Sequence, residues 1–149
     1  QGNVEATYRA GALRLSAATG ERQAARGVAQ LQFAAEHGHT DAMLRYARAF
    51  EAGETGTPDY AQAVAWYEKL AAQKNAAALY SLGRMHDQGL GVPVDPKRAL
   101  ELYVQAADGG DPQARRALER LLGPAPGIGR SGDGWRSGDD WRSDRSRRP

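Results

Sequence analysis

Three arginines stand at equal intervals, Arg48, Arg84 and Arg120, and two of them are followed three positions later by a carboxylate, Glu51 and Asp87. A guanidinium grips a carboxylate through two parallel hydrogen bonds, so a row of them suits the recognition of an acidic chain better than the breaking of a bond. Flanking positions keep the same interval: Tyr8, Leu44, Tyr80 and Arg116 make a second column, and Leu15 leads into Glu51 and Asp87 in a third. Aromatic and arginine side chains dominate the strong points of protein interfaces. The candidate partner-binding set is therefore Tyr8, Leu44, Arg48, Glu51, Tyr80, Arg84, Asp87, Arg116 and Arg120. A plainer alternative stays open: three apart on a helix, Arg48 with Glu51 and Arg84 with Asp87 can each neutralise their own pair for a few tenths of a kcal/mol.

Residues for other chemistry are sparse. Cysteine is absent, which removes thiol nucleophiles, thiolate metal sites and disulfides together. His37 and His39 form an HGH turn without the further ligands a metal would need, and His86 falls in a packed column. Ser16 and Ser81 have no partner motif, and Gly89-Leu90-Gly91 runs into a proline-aspartate turn rather than a lysine-bearing phosphate cradle. No carboxylate dyad is apparent. The reading is a non-enzyme with no cofactor, no metal and no small-molecule substrate.

Charge and hydropathy narrow the partner. Residues 1–122 carry 14 Lys+Arg against 14 Asp+Glu, so the net charge of +2 comes wholly from the six Arg and four Asp of 123–149. A neutral body speaks against nucleic acid, whose capture would make binding fall steeply with salt. No apolar run reaches the roughly 20 residues that span a bilayer. The chain starts at Gln1 rather than Met, which fits a removed export signal and gives the expectation of a periplasmic or secreted protein.

The elements that position these residues follow from self-similarity. Sliding the sequence by 36 residues aligns Ala42, Ala78 and Ala114, then Gly53 with Gly89, Asp59 with Asp95, Ala63 with Ala99, Tyr67 with Tyr103 and Ala71 with Ala107, without a gap. A period of this size implies stacked helix pairs, because neither helix of a pair can cover its apolar stripe without the next repeat. Spacings of three and four put Ala63, Trp66, Tyr67, Leu70 and Ala71 on one face, repeated as Ala99, Leu102, Tyr103, Ala106 and Ala107. Asp59 and Asp95 stand as N-caps, with Pro96 at a first helical position. Gly38, Lys74 and Gly110 share a turn column, followed by His39, Asn75 and Asp111 as new N-caps.

Small residues at Gly11, Ala47 and Gly83 let paired helices approach closely, and Glu119 in that column marks the last helix as a terminal cap. Arg14, in the column of Phe50, makes the first hairpin a divergent leading cap. The expected fold is all-α: a right-handed α-solenoid of antiparallel helix pairs, about three and a half repeats. Its seven helices run near 3–16, 21–37, 40–52, 59–73, 76–88, 95–108 and 111–122.

The stretch AALYSLGRMHDQGLGVPVDPKRALELYVQAADGGDPQA resembles a Sel1-like repeat, a variant of the tetratricopeptide fold. The matching residues are Ala78, Leu82, Gly83, Gly89, Gly91, Val92, Asp95, Ala99, Tyr103, Ala106 and Ala107. The preceding copy keeps Gly53, Asp59, Ala63, Trp66, Tyr67 and Ala71, but its loop GETGTPD has Gly56 in place of the valine and should be looser. The resemblance implies a protein-interaction scaffold or adaptor, whose concave groove is lined by the first helix of each pair. That groove would hold a segment of another protein. An alternative is an inhibitor or immunity-type protein that covers an enzyme's active site.

From Gly123 the composition shifts to Gly, Pro, Ser, Arg and Asp with no apolar period, the signature of a disordered tail. Trp135 and Trp141, each followed by Arg and Ser, are unusual in such a segment and read as two short docking pieces, for a partner or for self-association. The domains are thus a solenoid over 1–122 and a tail over 123–149.

Overall fold

A computed structural model describes residues 2–17 and 20–123, so Trp135 and Trp141 lie outside the described residues. Seven helices follow one another: α1 Gly2–Ser16, α2 Glu21–Glu36, α3 Thr40–Ala52, α4 Tyr60–Ala72, α5 Ala76–Gln88, α6 Pro96–Asp108 and α7 Pro112–Leu122. Each helix packs chiefly on the one before and the one after it, which gives the layered stack that the 36-residue register requires. No strand is present among the described residues.

The helix starts are fixed by side chains that accept the orphan backbone N–H groups of a first turn. Asp59, Asn75, Asp95 and Asp111 accept from Gln62, Ala78, Arg98 and Ala114 at 2.8–3.1 Å. His39 does the same through ring nitrogen Nδ1, which accepts from the Ala42 N–H at 3.1 Å. The ends of α3 and α5 are turned by Gly53 and Gly89, both left-handed. Lys74 adopts that same backbone region (φ 59) in the column where its counterparts are Gly38 and Gly110.

Within each hairpin the interior is built on close backbone approach. A Cβ on Gly83 would stand 2.9 Å from the Tyr103 ring, and one on Gly11 would stand 2.9 Å from the Gly27 carbonyl oxygen. The first hairpin is therefore joined glycine to glycine, whereas α5 and α6 are joined by an aromatic ring laid on bare backbone. Leu31, Tyr67, Leu70, Met85, Leu102, Tyr103 and Leu118 are fully enclosed and run as a continuous core from α2 to α7. Glu119 on α7 is exposed, as is Arg14 on α1, which reaches Gln30 of α2.

Candidate functional site

The leading helices α3, α5 and α7 enclose a trough of about 510 Å³. α3 contributes Arg48, Glu51 and Ala52, α5 contributes Tyr80, Ser81 and Arg84, and α7 contributes Gln113, while the Tyr67 side chain of α4 closes the floor. Of the nine residues expected to meet a partner, Arg48, Glu51, Tyr80 and Arg84 come together here. Arg116 and Arg120 are exposed on α7, outside the trough lining. Tyr8 is half-buried and stacks on His39 with ring centroids 4.6 Å apart, and Leu44 packs half-buried against the core.

The charges pair differently from the within-helix arrangement that their spacing allows. Glu51 is bonded by Arg84, 33 residues later and one repeat on, and it also accepts from the Tyr67 hydroxyl at 2.9 Å. Asp87 likewise accepts from the Tyr103 hydroxyl, at 3.4 Å. Neither Arg48–Glu51 nor Arg84–Asp87 forms an ion pair among the described residues. The physical reason is the tyrosine: a phenol rising from the paired helix draws each carboxylate toward it, and Glu51 is there within reach of Arg84 in the next repeat.

Electrostatics agree with that geometry. Burial pushes the Tyr67 phenol up, and the Glu51 charge beside it pushes further in the same direction. Tyr103 is raised by burial and then by Asp87, while Arg120 acts in the opposite direction, so this arginine lies within electrostatic range of the second tyrosine-acid pair. For Arg84 burial works against the charge, but the hydrogen bond and the charge of Glu51 outweigh it and hold the guanidinium above its ordinary value. Both tyrosines thus remain hydroxyl donors near neutral pH.

The resulting row alternates along the stack: Arg48, Glu51, Arg84, Asp87, Arg120. Tyr67 and Tyr103 are the functional side chains that reading the sequence by columns misses, since their enclosed rings mark them as core. The signal was present as a separation of 16 from acid to tyrosine, kept in both Glu51–Tyr67 and Asp87–Tyr103. The histidines of the HGH turn do structural work. The His37 ring nitrogen meets the Phe33 carbonyl at 2.7 Å, and His39 caps α3 while its other nitrogen pairs with Glu5.

Comparison with known proteins fits this architecture. The Sel1 repeat family model matches residues 40–75 and 76–111. The chain is 34% identical over 129 residues to the chitin synthase regulator SKT5 of Saccharomyces cerevisiae, a match covering 80% of this chain and 18% of that protein. The curated relatives it matches are much longer, and the chain spans 6 to 18% of their length. Among solved structures, it resembles a Sel1 repeat protein from Oxalobacter formigenes, with a TM-score of 0.68 and 29% identity over 80% of this chain and 90% of that one. It also resembles c5321, a protective antigen of uropathogenic Escherichia coli displaying an SLR fold, with a TM-score of 0.72 and 27% identity over 83% of this chain and 27% of that one. Residues 40–111 thus carry two tandem Sel1 repeats, set in a helical stack shaped like these structures.

Proposed function

We propose that the chain is a non-enzymatic scaffold that holds a carboxylate-bearing segment of another protein in the trough between α3, α5 and α7. A protein-interaction role at the coarse level accords with its repeats and with a relative named as a regulator. The observation that carries the finer reading is Arg48. Arg84 has an acid supplied by the repeat before it, Glu51, at a separation of 33. The position that would serve Arg48 in the same way is Leu15, which has no charge. Arg48 is exposed, lines the trough and forms no ion pair among the described residues. An incoming carboxylate completes the alternation there, with Tyr80 beside it as an aromatic wall.

A photo-crosslinking residue at Ala52, in the trough, tests this against one at Ala65, exposed on α4. Proteins from the native source should crosslink from position 52 and not from 65, and Arg48→Glu should weaken the captured partner by at least about tenfold. Equal capture from both positions, or unchanged affinity in the folded Arg48→Glu protein, would reject the trough as the binding surface.

A further inference from the structure

We infer that a second groove, between α2 and the α3–α4 loop, is a seat for one of the tryptophan-arginine pieces of this same chain, Trp135-Arg136 or Trp141-Arg142. Between α5 and α6, Gly91 (φ 72) lies so close to the first turn of α4 that a Cβ there would stand 2.6 Å from the Tyr60 backbone. On either side of it, Leu90 and Val92 press half-buried against the core. This loop therefore seals the step between repeats with two aliphatic side chains.

A shift of 36 residues carries Tyr60 and Ala61 to Ala24 and Ala25, and carries Leu90 and Val92 to Glu54 and Gly56. The α3–α4 loop crosses α2 at the corresponding place, but neither replacement can seal it. Glu54 is a polar side chain that accepts from Arg45 at 2.9 and 3.2 Å, and Gly56 has no side chain. What remains is a groove of about 700 Å³ with Ala24, Ala25, Val28 and Ala29 along its floor, and with Glu21 and Glu54 among its rim residues. The next repeat shows that this surface takes apolar side chains, and here the chain's own loop supplies none.

The occupant lies in the segment beyond Gly123. That segment holds two tryptophans, each followed directly by arginine, in a composition otherwise dominated by Gly, Ser, Asp, Arg and Pro. An indole replaces the bulk of a missing leucine and valine, and the adjoining guanidinium meets the acidic rim. Reach is sufficient: four helix layers spaced roughly 9–10 Å apart make a stack of about 35–40 Å, and the chain from Gly123 to Trp135 extends to about 40 Å. Because the tether belongs to the same molecule, seating its own piece is independent of protein concentration, unlike seating a neighbour's.

The emission of Trp135 and Trp141 in the full chain, obtained by difference against a Trp135→Phe, Trp141→Phe variant, tests the idea beside a free peptide of residues 131–143. Docking predicts blue-shifted emission and several-fold weaker acrylamide quenching than in the peptide, independent of protein dilution. Ala25→Lys with Ala29→Lys, both at exposed positions of α2, should return both readings to those of the peptide while leaving melting unchanged. Peptide-like emission in the unaltered chain overturns the proposal, as does a blue shift that survives the two lysines. A shift lost on dilution also overturns it, and assigns the groove to a second copy's segment instead.

Discussion

Glu5 is tied to His39 by a hydrogen bond and to Arg9 by an ion pair, and these contacts, in that order, hold its carboxyl below the ordinary range. Its ionised form is thus favoured by the fold, relative to an unfolded carboxyl near about 4.3. The stability it contributes is present above that value and is lost as pH falls through the lowered one. Because His39 also caps α3 and stacks on Tyr8, Glu5 links the first hairpin to the second through one imidazole. Glu5→Gln should therefore flatten the loss of melting temperature between about pH 5 and pH 3, a window set by the ordinary carboxyl value. A pH profile identical to that of the parent chain would mean that the contact carries no pH-dependent stability.

For the helices, the sensitive quantity is how closely paired backbones approach. The bare Cα of Gly83 accepts the Tyr103 ring, and no side chain fits between them. Gly83→Leu should cost about 1–3 kcal/mol in urea unfolding, and it should also shift Tyr103 and so loosen its bond to Asp87. A neutral result would contradict the packing of α5 on α6. This level of organisation was readable in the sequence. The expected boundaries fall within about two residues of those observed, because caps such as Asp59, Asn75 and Asp95 and stop signals such as Gly53 and Gly89 are local chemistry. The partners of the trough charges were not readable in the same way. Which arginine reaches Glu51 depends on the offset between successive hairpins and on a tyrosine hydroxyl, and both are set by tertiary packing rather than by spacing along one helix.

In the molecule as a whole, cohesion runs from neighbour to neighbour, so the two ends differ from the middle. In α1 Gly11 is the one buried residue among those described, whereas α6 buries Ala99, Leu100, Leu102, Tyr103, Val104, Ala106 and Ala107. Amide hydrogen exchange should accordingly open α1 at least about tenfold sooner than α4 to α6, whose protection should approach that of global unfolding. Uniform protection from α1 to α6 would instead indicate a single cooperative block.

The trough charges have one further consequence, for how such a chain can lengthen. Glu51 is answered by Arg84 of the following unit, and to this row residues 76–111 contribute one base and one acid, Arg84 and Asp87. Tandem duplication of that unit would present the original Asp87 with a newly made counterpart of Arg84, at the offset already used by Glu51 and Arg84. Growth by copying would thus keep this row balanced, adding a rung without requiring a compensating mutation in it.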